Sequence, residues 1–206
     1  MSDMAVVLAT TNANKVAEFE RLRARMLGHG IGAWRSLAEL GAVLDVDECG
    51  ESLAANALLK ARAAAAATGM PALADDTGLF VDALQGAPGV RSARYAGPAA
   101  TAASNRQRLL AELERVLGPG APDEARPATA VFRCHLTWVD ADGAVIAESE
   151  GCCRGRIVTA ARGGGGFGYD TLFELPEHHC TLAELSPLAV DLLGHRGRAF
   201  YRLART

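Results

Sequence analysis

Apolar positions along the chain recur with two different periods, and their succession predicts interleaved strands and helices. Residues 6 to 10, VVLAT, form a short apolar run of the kind a buried strand uses. From 14 to 28, Val16, Phe19, Leu22, Met26 and Leu27 recur at helical spacing. Asn12 or Asn14 is placed to cap that helix, and Gly28 and Gly30 to end it. Residues 33 to 47 hold short elements without a firm pattern. The clearest helix is SLAANALLKARAAAAAT, 52 to 68. Alanine has the highest helix propensity and permits close packing, and Gly69 and Pro71 follow as stop signals.

PALADD, 71 to 76, then reads as a strand that ends in two carboxylates. Residues 78 to 98 are rich in Gly and Pro, with a short helix expected near 79 to 84. A helix over 102 to 117 places Leu109, Leu110, Leu113 and Leu117 on one face, and 118 to 127 is a connection. Period-two alternation predicts strands at 128 to 139 and 144 to 158, joined by a turn at DADG, 140 to 143. Residues 163 to 170 read as a loop and TLFEL as a short strand. The remainder reads as helical, broken by Pro187 and Gly194. Interleaved strands and helices with an inserted hairpin give an α/β fold with a mixed central sheet and flanking helices.

Length and charge narrow the class. A chain of 206 residues is one domain, or one domain with two lobes. Half its residues are hydrophobic and 22% are charged, an ordinary soluble composition. A net charge of -3 argues against nucleic-acid binding by bulk electrostatics, so a polyanionic ligand must be met by a few placed cations. No apolar run has the length of a membrane span, and the N-terminus lacks the pattern of a signal peptide. Five cysteines without a C-x-x-C pair argue against a disulfide framework and a zinc site, and point to reduced thiols in a cytoplasm.

Six stretches carry candidate chemistry. In TTNANK, Thr10, Thr11, Asn12, Asn14 and Lys15 lie between a strand and a helix. Free helix amides, the positive dipole end and a lysine suit phosphate, while the ordinary reading is a capped turn. In ADDTGL, two adjacent carboxylates repel each other and point to opposite faces of an extended chain. Asp75 and Asp76 are therefore expected to split their duties, one holding Mg²⁺ or a water and the other holding structure. The acidic run Asp45, Asp47, Glu48 offers further oxygens for a hard cation, or a solvated helix start. Asn56 and Lys60 are four apart and share a face of the alanine-rich helix; a surface lysine is the ordinary alternative.

In GGGGFGYD, five of eight residues are glycine, which requires either close backbone approach to a ligand or positive φ angles. Phe167 and Tyr169 offer stacking faces and Asp170 an acceptor for a base N–H. His195 and Arg196 in GHRGRAF can donate to carbonyl acceptors, although such a pair at a helix start commonly decorates a surface.

In this order and spacing, LATTNANKVAEF, ESLAANALLKARAAA, PALADDTGLFVDALQGAPGVRSARYAG, GRIV, GGGGFGYDTLFEL, TLAELS and GHRGRAF resemble the inosine triphosphate pyrophosphatase family. The resemblance runs nearly the whole chain. It implies two lobes around a deep nucleotide cleft, a homodimer, and one pyrophosphatase domain over 1 to 206. It also implies Mg²⁺-dependent hydrolysis of ITP, dITP and XTP between the α- and β-phosphates, in a nucleotide-pool house-cleaning role. Asp76 would be the catalytic carboxylate and a metal ligand, with Glu48 or Asp47 completing the metal shell. Thr10 to Lys15 and Lys60 would meet the triphosphate, and Thr77 would touch the nucleotide. Phe167, Gly168, Tyr169 and Asp170 would line the base pocket, and His195 and Arg196 would read the base edge. Neither nucleic acid nor membrane is expected as a partner.

The chain departs from the family pattern at four places. Thr11 stands where Gly is common, Cys49 where Thr is common, Gly194 where Ser is usual and Val190 where Lys is usual. Position 190 removes one cation expected near the ligand, for which Arg198 and Arg162 are the candidate substitutes. Two other functions therefore stay open at this point. One is a nucleotide-binding protein with weakened catalysis. The other is a related nucleotide pyrophosphatase with a different base preference.

Overall fold

The computed structural model describes residues 5–25, 33–42, 44, 46 and 49–205. The helix ends expected at Met26 to Gly30, and the acidic positions Asp45, Asp47 and Glu48, lie outside the described residues. Eight strands form one mixed sheet in the order β2-β1-β3-β5-β6-β7-β8, with β4 paired to β3. They are β1 (Val6–Leu8), β2 (Trp34–Ser36), β3 (Ala72–Val81), β4 (Pro88–Gly89), β5 (Ala128–Val139), β6 (Val145–Ile157), β7 (Phe173–Leu175) and β8 (Cys180–Thr181). The helices are α1 (Ala13–Arg25), α2 (Leu53–Thr68), α3 (Ala102–Leu117), α4 (Pro187–Leu193) and α5 (His195–Leu203). β1 runs parallel to β2 and β3, whereas β3–β4, β6–β7 and β7–β8 are antiparallel. The sheet is mixed, as the order of elements in the sequence implies.

The chain divides into two compact units, and β3, β5 and β6 each contribute residues to both. The first takes the described residues of Met1–Asp76, Cys134–Gly151 and Arg196–Thr206. One of its cores is aromatic: the rings of Phe19, Trp34 and Phe200 meet at centroid separations of 5.6 to 6.2 Å. Its other core is built of small residues. Ala61, Ala64 and Ala65 of α2 pack with Val7, Ala9, Ala72 and Ala74 of the sheet region. Alanine on both sides lets helix and sheet approach closely, which explains the alanine run. Ser52 caps α2 by accepting from Ala55 N, and Gly69, at φ +66°, closes it with N–H to Ala65 O at 2.8 Å.

The second unit comprises Thr77–Arg133 and Cys152–His195. Leu109 and Leu113 of α3 are fully buried against Leu79, Val81, Phe132, Phe173 and Tyr169, with Leu110 and Leu117 packed at the edge. A reciprocal capping box between Thr101 and Ser104 starts α3.

Three expectations change. β3 does not stop at Asp75-Asp76 but continues to Val81, so the carboxylates sit mid-strand. Its second half is held by β4 and by Ser92, whose Oγ accepts from Leu79 N at 2.8 Å. The helix expected near 79 shrinks to one 3-10 turn, Asp82–Leu84. The C-terminal third is not simply helical, because Cys180–Thr181 adds a strand to β7. Pro187 opens α4, with Ser186 as its cap, and Gly194 separates α4 from α5. None of the five cysteines is in a disulfide.

Candidate active site

The candidate site in the first unit is built on the Asp75-Asp76 pair. Consecutive residues of a strand face opposite ways, and the two carboxylates find different partners. Asp75, 1% exposed, takes Lys15 Nζ at 2.9 to 3.0 Å from its two oxygens, and Arg196 Nε and Nη2 at 3.2 and 3.0 Å. Arg196, also 1% exposed, donates its third nitrogen, Nη1, to Glu18 at 2.6 Å. Burial by itself would raise the Asp75 carboxyl. The charges of Lys15, Arg196 and Lys60 outweigh it and hold the group well below the usual carboxylate range. Burial would likewise lower Arg196, but Glu18 and Asp75 outweigh it and raise the guanidinium above its ordinary value.

Asp76 is held differently. Lys60 Nζ donates to its Oδ1 at 2.7 Å, and Asn56 Nδ2 to its Oδ2 at 3.2 Å. Both donors come from one face of α2, one turn apart. Lys60 is thus a half-buried partner of a carboxylate, not a surface lysine.

The opening turn is a capped helix start. Asn12 Oδ1 accepts from Asn14 N at 3.0 Å and Lys15 N at 3.4 Å, and Thr10 Oγ1 accepts from Asn12 N. Thr11, Asn12 and Asn14 are exposed there, and Lys15 leans back to Asp75. The turn thereby combines the capping role with an open, positive helix end.

The remaining expected residues lie in the second unit. Thr77 is half-buried on β3. In the glycine loop, Asp170 Oδ2 accepts from Phe167 N at 2.8 Å, which closes Phe167 to Asp170 into a turn. Arg106 Nη1 donates to Gly168 O at 2.7 Å and holds that turn to α3. Tyr169 is corrected: it is not a stacking face. It is 4% exposed, packed in the core, and its hydroxyl donates to Ser92 O at 2.9 Å. Burial pushes its phenol up. His195 is buried and its ring stacks on Phe132 at 4.7 Å. The surface reading of His195 and Arg196 is therefore overturned.

Several of the glycines now have reasons. A Cβ on Gly163, at φ +82°, would fall 2.5 Å from Ala183 C and O. Gly165 N donates to that same carbonyl at 3.0 Å. The close approach is to the protein's own backbone. Gly194 is similar, since a Cβ there would meet Val190 O at 2.6 Å. Arg162, a candidate substitute for the missing cation, is engaged by Glu174 at 2.7 Å and Glu184 at 3.3 Å.

A model of the Ham1 family matches residues 6–206 of the chain. The chain belongs to the Ham1 family. A "dITP/XTP pyrophosphatase" of Thioalkalivibrio sulfidiphilus is 48% identical over 199 residues, covering 95% of this chain and 94% of the relative. One from Geobacillus kaustophilus is 46% identical, covering 96% and 91%. The solved structure of a HAM1 protein from Coxiella burnetii superposes with a TM-score of 0.83 at 38% identity, covering 98% of this chain and 97% of that one.

Within this Ham1 chain, sequence reasoning passed over Glu18, Asn56 as a carboxylate partner, Ser92 and Arg106. Glu18 had a readable signal. It lies four residues before Leu22 and three after Lys15, on the inward stripe of α1, where a carboxylate needs a cation. Ser92 and Arg106 had none, because the backbone groups they hold, Leu79 N and Gly168 O, lie 13 and 62 residues away.

Proposed function

We propose that the chain hydrolyses non-canonical purine nucleoside triphosphates, ITP, dITP and XTP, to nucleoside monophosphate and pyrophosphate. The observation that carries this reading is the near-full-length identity to relatives named dITP/XTP pyrophosphatase. Asp76 is the proposed catalytic carboxylate. It is the member of the acidic pair not committed to a buried arginine, and a lysine and an amide from α2 orient it. Asp75 is proposed to hold structure, anchoring Lys15 and Arg196.

Family pyrophosphatases generally depend on a divalent metal. The donor chemistry fits a hard cation: Mg²⁺ binds through one or two carboxylates and the substrate's phosphate oxygens, and Asp76 is such a carboxylate, buried and held by Lys60 and Asn56. Asp76 with Asp47 or Glu48 would hold Mg²⁺, which when bound would neutralise phosphate charge and polarise the phosphoanhydride. Lys60 and Lys15 are proposed to take the charge that moves onto the departing pyrophosphate. The exposed α1 start, with Thr10, Thr11, Asn12 and Asn14, offers hydrogen bonds to phosphate oxygens. Asp76 orients the attacking water.

For the base, Phe167, Gly168, Asp170 and His195 are proposed as the reading residues, with Thr77 touching the nucleotide. Tyr169 supports the loop from the core, and Arg196 supports Asp75. Donors facing a 6-oxo group would leave the 6-amino group of adenine opposite another donor. Such an unmet contact discriminates by orders of magnitude. We place the chain as one domain that works as a cytoplasmic homodimer without nucleic-acid or membrane partners. Among the described residues no helix is long and apolar enough to cross a membrane.

The test is a kcat/KM panel over ITP, XTP, dITP, dUTP, GTP and ATP with Mg²⁺. The reading expects the three 6-oxo non-canonical purines to lead. A preference for dUTP, or binding of ITP without turnover, would overturn it.

A further inference from the structure

We infer that Asn56 is a positioning residue that orients the Asp76 carboxylate and ties it to the backbone just after the acidic run. The inference rests on the reading of Asp76 as the catalytic carboxylate. Asn56 is 0% exposed on the alanine face of α2. Burying a primary amide there is costly unless both of its ends are satisfied. Here both are. Oδ1 accepts from Gly50 N at 2.9 Å, and Nδ2 donates to Asp76 Oδ2 at 3.2 Å.

The chemistry of the partners fixes the orientation of the amide. A backbone N–H only donates, so it takes the oxygen, and an ionised carboxylate only accepts, so it takes the nitrogen. Gly50 permits the first contact. A Cβ at position 50 would fall 2.5 Å from Asn56 Oδ1 and 2.9 Å from Ala55 Cβ. Gly50 follows Glu48 by two residues, so Asn56 connects Asp76 to the chain segment that carries the other proposed metal ligands.

Asn56 and Lys60 grip opposite oxygens of Asp76, and they differ in one respect. Lys60 is charged and would be drawn toward a triphosphate. Asn56 is neutral and bonded at both ends, so it keeps the carboxylate aimed when Lys60 leaves it. A neutral donor also orients the carboxylate without cancelling the charge a metal needs. Outer partners of this kind typically set metal affinity or activity by about 10- to 100-fold.

The experiment compares wild type, Asn56→Ala, Asp76→Asn and the double variant. It measures kcat and KM for ITP, the dissociation constant of Mg²⁺ from the free protein by calorimetry, and Tm. Asn56→Ala is expected to lower kcat about 10- to 100-fold and to weaken Mg²⁺ about tenfold. KM should stay near wild type, and neither property should fall further in the Asp76→Asn background. Gly50→Ala, which crowds the amide oxygen from the other side, is expected to move kcat and Mg²⁺ affinity in the same direction. That variant serves if Asn56→Ala does not fold. A lower Tm with wild-type kcat and Mg²⁺ affinity, while Asp76→Asn is inactive, overturns the inference alone. So does a full Asn56→Ala loss on top of Asp76→Asn. Wild-type turnover by Asp76→Asn overturns the reading of Asp76 and this inference with it.

Discussion

Asp75 and Asp76, consecutive on β3, are held by different sets of partners. Asp75 closes a buried network with Arg196, Glu18 and Lys15, while Asp76 meets Lys60 and Asn56 from α2. This division lets two like charges sit side by side. Each has its own counter-charge, and Asp76 is the one we propose for chemistry.

Replacing Asp75 by Asn should cost stability first. It leaves Arg196 and Lys15 without their shared carboxylate in a buried site, a loss of about 3–5 kcal/mol. Denaturant unfolding at neutral pH measures it. The depressed folded pKa of Asp75 adds a pH signature. Its contribution is complete above the unfolded value, about 3.9, and is lost as pH falls through the lower folded value. The wild type should therefore lose Tm more steeply below about pH 4 than Asp75→Asn does. Parallel Tm curves for the two proteins would contradict the assignment.

The glycine run divides by position. Gly163→Ala should destabilise by about 1–3 kcal/mol, because its Cβ would strike the Ala183 backbone at a positive φ. Gly164 has open space and ordinary φ, so Gly164→Ala should stay within about 0.5 kcal/mol of wild type. Thermal unfolding of the two variants side by side decides the matter, and equal losses would refute the close-approach explanation.

Tyr169→Phe keeps the core ring and removes only the hydroxyl bond to Ser92 O. It should cost about 1 kcal/mol and leave the ITP-to-GTP ratio of kcat/KM unchanged. A changed ratio would return Tyr169 to the base site.

Gly194→Ser restores the residue usual in the family, yet it should destabilise this chain by about 1–3 kcal/mol. The added Cβ would crowd the Val190 carbonyl at the end of α4. A Tm equal to or above wild type would show that the end of α4 relaxes freely.

Much of this molecule was legible in its sequence. Gly69 and the leucine stripe of α3 mark their helices because stop signals and periodicity are local properties, whereas the caps Ser52 and Thr101 come from the structure. Strand alternation and the DADG turn placed β5 and β6 for the same reason. The end of β3 was not legible. DDTG reads locally as a turn, and what keeps it extended is β4 and the Ser92 hydroxyl from later in the chain. The splitting of Asp75 from Asp76 followed from strand geometry. The identity of Asp75's partners did not, because Arg196 lies 121 residues away. Tyr169 was misread because an aromatic in a glycine loop looks exposed until its core neighbours are known.

The central claim is that Asp76 drives pyrophosphate release from ITP. The most direct measurement is pyrophosphate formed from ITP and Mg²⁺ by wild type and by Asp76→Asn, each first shown to be folded by circular dichroism. The account predicts inosine monophosphate and pyrophosphate in equal amounts from the wild type, and a loss of at least about 100-fold in kcat for the variant. Orthophosphate in place of pyrophosphate, or near-normal turnover by Asp76→Asn, would contradict it.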